Sequence, residues 1–168
     1  SHRLRSGIAC YRSVGASGAV APELAVAVAE RGHSVRMFTF APPHRPAPGV
    51  CLQLVDVVAY PLLRYPPYDL ALASAIVDSA EHGRPLDLLH VHYAVPHAIS
   101  AFLARSMLGP NSFATVTTLH GTDISIVGSD PAYATVIRFG IEQSNGVTAV
   151  SESLRRDTLE VLKVRREI

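Results

Sequence analysis

Cysteine is scarce: Cys10 and Cys51 are the only two in 168 residues. They lie far apart and form no C-x-x-C, so neither a disulfide framework nor a zinc site is suggested, and both are expected to be small buried hydrophobes. An excess of either charge is also lacking. Fifteen Lys and Arg stand against fourteen Asp and Glu, and no basic block exceeds the pairs Arg155-Arg156 and Arg165-Arg166, so no nucleic-acid partner is expected. No apolar run approaches the ~20 residues that span a bilayer. The start Ser1-His2-Arg3-Leu4-Arg5 has neither the apolar stretch nor the cleavage site of a secretion signal, which leads to the expectation of a cytoplasmic protein without a membrane span. Two catalytic fingerprints are missing as well. There is no G-x-G-x-x-G, and the second apolar run ends Phe38-Thr39-Phe40 with no acidic residue to hold a ribose hydroxyl, which disfavours a dinucleotide dehydrogenase. There is no G-x-S-x-G, so a serine hydrolase has no support.

What is present is a rhythm. Apolar residues make up 48% of the chain, enough for one sizeable core and one domain. Short β-rich runs at 5–10, 35–40, 50–57, 86–92, 113–119 and 147–150 alternate with helical patterns, which predicts an α/β fold: a Rossmann-like, doubly wound parallel sheet of about six strands. Val35, Met37-Phe38, Leu88-Leu89 and Val91 are nearly continuous in apolar character, as strands covered on both faces should be. Val20, Leu24, Ala27 and Val28 fall at helical spacing, as do Leu70, Ala73, Val77 and Ala80, and Ile99, Phe102, Leu103 and Met107, and these stripes are read as core. Gly32 and Gly83 stand where left-handed residues would end the first two helices. Ser151 can cap a last helix whose Arg155, Arg156, Lys163, Arg165 and Arg166 form a solvated face. The proline-rich stretch 41–49 is a surface loop. The stretch 60–68, with three tyrosines, is expected to pack over the sheet edge or rim a cleft.

Three constellations could carry chemistry. The first strand runs into Tyr11-Arg12-Ser13-Val14-Gly15-Ala16-Ser17-Gly18 and then a helix, and small residues there let backbone N–H groups approach an anion; the alternative is a tight turn that needs glycine for its dihedrals. His90, His92, His97 and His120 raise a metal hypothesis, but no Asp, Glu or Cys joins them at a recognisable ligand spacing, so no metal is assigned. The densest signal is Val116-Thr117-Thr118-Leu119-His120-Gly121-Thr122-Asp123, where a β-branched strand stops at an imidazole, a permissive backbone position, a hydroxyl and a carboxylate. In an open parallel sheet ligands collect beyond the carboxyl ends of strands, so this cluster is placed for chemistry. The competing reading has Asp123 capping the next turn and His120 as a satisfied buried ring.

Gly15-Ala16-Ser17-Gly18, the stretch Tyr65 to Ser74, Leu89-His90-Val91-His92-Tyr93-Ala94-Val95-Pro96-His97-Ala98 and Thr117 through Asp123 together resemble family 4 glycosyltransferases of the GT-B architecture. Within them the chain is most similar to the N-acetylglucosaminyl L-malate synthases that begin bacillithiol biosynthesis. The resemblance continues through Ile124 to Pro131, Ile137 to Glu142 and Thr148 to Ser151, and so covers nearly the whole chain. It implies a metal-independent, retaining transfer of N-acetylglucosamine from UDP-N-acetylglucosamine, a substrate and not a cofactor, to the hydroxyl of L-malate. The amino-terminal half would hold the acceptor, and a carboxyl-terminal half, expected to be absent from these 168 residues, most of the nucleotide. Carried onto matching positions, His120 is the catalytic candidate, and Gly15, Ser17, Gly18, Tyr93, Thr118, Gly121, Thr122 and Asp123 are substrate-binding candidates. A homodimer is one assembly open to a full-length enzyme. The alternatives are a family 4 transferase with a sugar or inositol phosphate as acceptor, or a free-standing binding or assembly module. The chain departs from the family pattern at Arg12, Ala16, Pro22 and Asn145.

Overall fold

The computed structural model describes residues 2–11, 16–127 and 130–168. Six strands, β1 (Arg5–Cys10), β2 (Ser34–Thr39), β3 (Val50–Leu54), β4 (Leu88–His92), β5 (Ala114–Leu119) and β6 (Gly146–Ala149), form one sheet in the order β3-β2-β1-β4-β5-β6, and every pairing is parallel. Five longer helices interleave with them: α1 (Ala16–Glu30), α2 (Tyr68–Glu81), α3 (Ile99–Leu108), α4 (Pro131–Gln143) and α5 (Glu152–Leu162). The chain steps outward from β1 to β2 and β3, then returns to place β4 on the other side of β1. That reversal opens a crevice at the carboxyl ends of β1 and β4, the place where such sheets bind ligands.

Side chains alternate across the sheet, and the core divides accordingly. On one face Ile8, Cys10, Val35 and Met37 pack against Ala21 and Ala25 of α1. On the other, Ala9, Phe38, Leu89 and Val91 pack against Leu72 and Ile76 of α2 and Ala101 and Ala104 of α3. Leu119 and Val147 meet Ile137 and Ile141 of α4, together with Leu162 and Val164 at the end of α5. The expected strands and the first three helices are all present, with Gly32 and Gly83 at φ +88° and +77°. Ser151 caps α5, its hydroxyl accepting from Leu154 N–H at 3.1 Å.

Several expectations require correction. The third strand stops at Leu54, because its partner β2 runs out at Thr39 and the ladder has nothing further to pair with. The helical stripes are displaced in part: Ala73 is buried as expected and Leu24, Val28 and Val77 pack against the core, but Val20, Leu70 and Met107 are exposed, while Ala21, Ala25, Leu72, Ile76, Ala101 and Ala104 face the sheet. Small residues let a helix backbone lie close to the strands, so the larger apolar neighbours are turned outward. Cys51 is exposed on the edge strand, and only Cys10 is buried. Tyr60 and Tyr65 point to solvent, and Tyr68 alone of the three tyrosines packs inward. The basic tail is not one solvated face, since Arg166 turns back to donate to the carbonyls of Ser144 and Asn145 at the end of α4. α4 is a helix beyond those the apolar stripes predict: Asp130 caps it, accepting from Ala132 N–H at 2.9 Å, and Pro131 opens it.

Pro22 lies well inside α1, where it supplies no N–H to the carbonyl one turn back and its ring crowds that carbonyl. Replacing Pro22 with Ala restores the bond and is expected to raise unfolding stability by about 1–2 kcal/mol, after allowing for the looser unfolded chain. A denaturant titration with an unchanged or lower midpoint would refute this account.

Candidate functional site

The carboxyl ends of β1, β4 and β5 bring a ring of aromatic and imidazole groups into the crevice. His90 and His92 alternate onto the same face of β4, and their rings stack at 4.8 Å. His92 Nδ1 lies 2.9 Å from His120 Nε2, just past the end of β5. The Tyr93 ring stands 5.1 Å from the His120 ring and 6.5 Å from Tyr11, the residue after β1. Tyr11 stacks on Tyr68 at 5.0 Å and meets the edge of His97 at 4.6 Å, and the Tyr68 hydroxyl is hydrogen-bonded to His97 Nε2 at 3.1 Å.

The backbone beneath this ring is unusual. Tyr93 has φ +77° and ψ 140°, a region that side chains other than glycine rarely occupy and that costs roughly 1–3 kcal/mol. Two hydrogen bonds hold it there. Tyr93 N–H donates to the Thr118 carbonyl at 2.9 Å, and the next amide, Ala94 N–H, donates to Asp123 Oδ2 at 3.0 Å. Asp123 is buried and reaches across to the β4 loop, so the idea that it merely caps its own turn is corrected. Gly121, at φ +110°, supplies the turn that aims Asp123 inward, a conformation a side chain would strain. Thr118 is occupied within the sheet: its hydroxyl lies 2.6 Å from His90 Nε2 and 2.7 Å from Thr148 Oγ1.

Tyr93, Thr118, His120, Gly121 and Asp123 therefore gather at one rim. Thr122 is adjacent in sequence but exposed. Gly18 shares a small crevice with Tyr11, Thr39 and Pro43, and so adjoins the ring through Tyr11. Gly15 and the side chain of Ser17 lie outside the described residues. Tyr68 fulfils the expectation that its stretch rims a cleft, but the sequence marks neither Tyr11 nor Tyr68 as a site residue and gives no sign of the partnership of His97 with them. Tyr11 was recoverable, because it directly follows β1, whereas Tyr68 and His97 come from two helical segments whose convergence no spacing announces.

The imidazoles are neutral. Burial pushes His92 and His97 down to about 3, helped at His92 by the neighbouring His90, His120 and His97. Burial lowers His90 and His120 as well, with nearby Asp123 opposing the effect at His120. Tyr68 and Tyr11 are raised chiefly by burial and keep their protons. Beyond His120 a cleft of about 400 Å³ opens between Gly121, Ile124, Val150, Leu154 and Asp157. A slightly larger cleft of about 470 Å³ lies along the outer side of α1 against Arg45 and Pro46, but no strand end reaches it. Among the described residues, no group of three or more His, Cys, Asp or Glu could hold a metal ion, and no helix is long and apolar enough to cross a membrane. The rim offers neutral donors and flat apolar faces, which suit a polar, hydroxyl-rich ligand.

The profile of Glycosyltransferase Family 4 matches residues 17–168. The chain belongs to glycosyltransferase family 4. This family 4 chain is 50% identical, over 99% of its length, to N-acetyl-alpha-D-glucosaminyl L-malate synthase of Bacillus anthracis, and spans 44% of that relative. A solved glycosyltransferase from Rickettsia africae ESF-5 superposes with a TM-score of 0.66 at 15% identity, over 98% of this chain and 41% of that one, and so shares the fold.

Two outcomes follow from the geometry of this family 4 site. Asp123→Ala removes the acceptor of a buried amide and releases Tyr93, and is expected to cost about 1–3 kcal/mol of stability; a loss within a few tenths would show that the contact holds nothing. Acid should also destabilise the domain. The folded values of His92 and His97 lie below the ordinary 6.5, so as pH falls through that value the unfolded chain takes up protons that the folded one refuses. Stability then declines from about pH 6.5 towards 3, by about 2–3 kcal/mol per pH unit for two such groups at the steepest. Urea midpoints at pH 7.5, 6 and 5 test this, and a flat series would contradict it.

Proposed function

We propose that the chain is the acceptor-binding part of a retaining glycosyltransferase that moves N-acetylglucosamine from UDP-N-acetylglucosamine to the hydroxyl of L-malate. What carries this reading is the half-identity to the Bacillus anthracis malate synthase along 99% of the chain, joined to a rim where the matching residues Tyr93 and His120 face each other. The UDP-sugar is a substrate, and a further domain beyond these residues would hold most of its nucleotide.

Malate carries two carboxylates, and each must exchange its water for several donors on entering a crevice. The Tyr93 hydroxyl, the His120 ring N–H and the backbone amides around Ser17, Gly18, Gly121 and Thr122 are the donors assigned to it. Thr118 acts one step back through its bond to His90. Asp123 holds the Ala94 amide that follows Tyr93 through Oδ2, and its second oxygen, Oδ1, is the one assigned to the substrate side. A neutral His120 cannot compete for the malate carboxylates as a counter-charge. It can donate to an oxygen that gains negative charge as the sugar passes between donor and acceptor, where preorganised donors contribute most.

In the full-length protein, UDP release from UDP-N-acetylglucosamine is expected with L-malate and not with a hexose or an inositol phosphate. His120→Ala should lower kcat about 100-fold or more with little change in folding stability. Turnover with the sugar or inositol phosphate in place of malate would reassign the acceptor. Wild-type turnover by the alanine variant would leave His120 a packing residue.

A further inference from the structure

His92 is fully buried at the carboxyl end of β4, and one of its two ring nitrogens has no partner. Nδ1 lies 2.9 Å from His120 Nε2, whereas Nε2 is enclosed without a hydrogen bond. Because the ring is neutral, it carries one proton, and two arrangements are available. With the proton on Nε2, an N–H donor is sealed away unsatisfied, and His120 must donate to His92. With the proton on Nδ1, His92 donates to His120, and only a lone pair is left unmatched. Buried orphan N–H groups are rarer in folded proteins than under-used acceptors, and each costs the desolvation of a donor. The second arrangement is therefore the stable one.

It has a direct consequence for His120. Nε2 of His120 must accept from His92, so a neutral His120 keeps its proton on Nδ1. The half-buried His120 ring borders the cleft beyond β5, and its free nitrogen is then always a donor. Nothing in this pairing leaves His120 a bare nitrogen with which to act as a general base. The pairing is also rigid. The stacked His90 ring backs His92 on its own face of the sheet, and His90 is pinned through Thr118 to Thr148 on β6. Among the described residues, the Tyr93 ring also stands against His120, and Asp123 lies near it with Oδ2 accepting from Ala94 N–H.

We propose that His92 is a positioning residue that locks His120 in the Nδ1-protonated tautomer, so that His120 serves the reaction as a fixed hydrogen-bond donor and not as a base. The proposal rests on the reading of His120 as a reacting-site group given above, and it adds which proton that group carries and what holds it there.

The experiment uses full-length protein labelled with ¹⁵N-histidine, with His120 signals assigned by their disappearance in His120→Gln. Long-range proton–nitrogen correlation at pH 7 should show Nδ1 of His120 protonated and Nε2 bare, in the absence of substrate; the opposite pattern would overturn the proposal without any variant of His92 being made. His92→Asn keeps an N–H near the Nδ1 position and should preserve both this pattern and most of kcat. His92→Phe fills the same space without a donor. It should let the two tautomers mix and lower kcat about 10- to 100-fold, with KM for the UDP-sugar and the thermal midpoint little changed. Retention of the single tautomer and of kcat in His92→Phe would refute the positioning role. The tautomer is read without malate or nucleotide, so its outcome does not depend on which acceptor the enzyme uses.

Discussion

The hydrogen bond from Ala94 N–H to the buried carboxylate of Asp123 is what allows the rim to exist in its present shape. Tyr93 occupies a backbone region that an L side chain ordinarily avoids, and such a conformation persists only where its surroundings over-determine it. Here the determination comes from both sides, through Thr118 on the Tyr93 amide and Asp123 on the amide after it. The strained residue is the one whose ring faces His120 and Tyr11, so the strain aims a side chain into the crevice. Gly121 completes the device, since a left-handed turn directly after His120 brings Asp123 back towards β4.

A second constraint is dielectric. Four imidazoles lie close together on this side of the sheet, and burial keeps them uncharged. Charged, they would repel one another at the stacked separations seen between His90, His92 and His120. Neutral, they pack as flat faces and hydrogen-bond from strand to strand, His92 to His120 and separately His90 through Thr118 to Thr148. This arrangement leaves the domain stable at neutral pH and costs it stability in acid, and it makes the site a set of oriented donors instead of a field of charge.

Much of this was legible in the chain. The β-branched run ending at His120-Gly121-Thr122-Asp123 marked a strand and its carboxyl end, and Ser151 marked the start of α5, because strand alternation and capping are local rules. The helical stripes were less legible. Spacing alone cannot say which of two neighbouring apolar columns faces the sheet, and close packing selected the alanines of α1 and α3 over Val20 and Met107. Cys51 and Tyr65 were expected to pack, but the first lies on an edge strand and the second on an exposed loop, and composition does not distinguish edges from interiors. The start of α4 is marked locally too, by Asp130 as cap and Pro131 at the first helical position.

The amino-acid sequence by itself determined the alternation of strands and helices, the parallel character of the sheet, the family, and the placement of a polar cluster at a strand end, because each follows from patterns within a few residues or from matching residues along the chain. Only the tertiary structure decided that Tyr11, Tyr68 and His97 complete the ring around Tyr93, that Asp123 holds a backbone and does not cap a turn, and that His92 stands behind His120. These depend on which strand ends become neighbours when the chain reverses between β3 and β4, and on which polar atoms are then left enclosed without water. Such long-range pairings have no signature in local spacing.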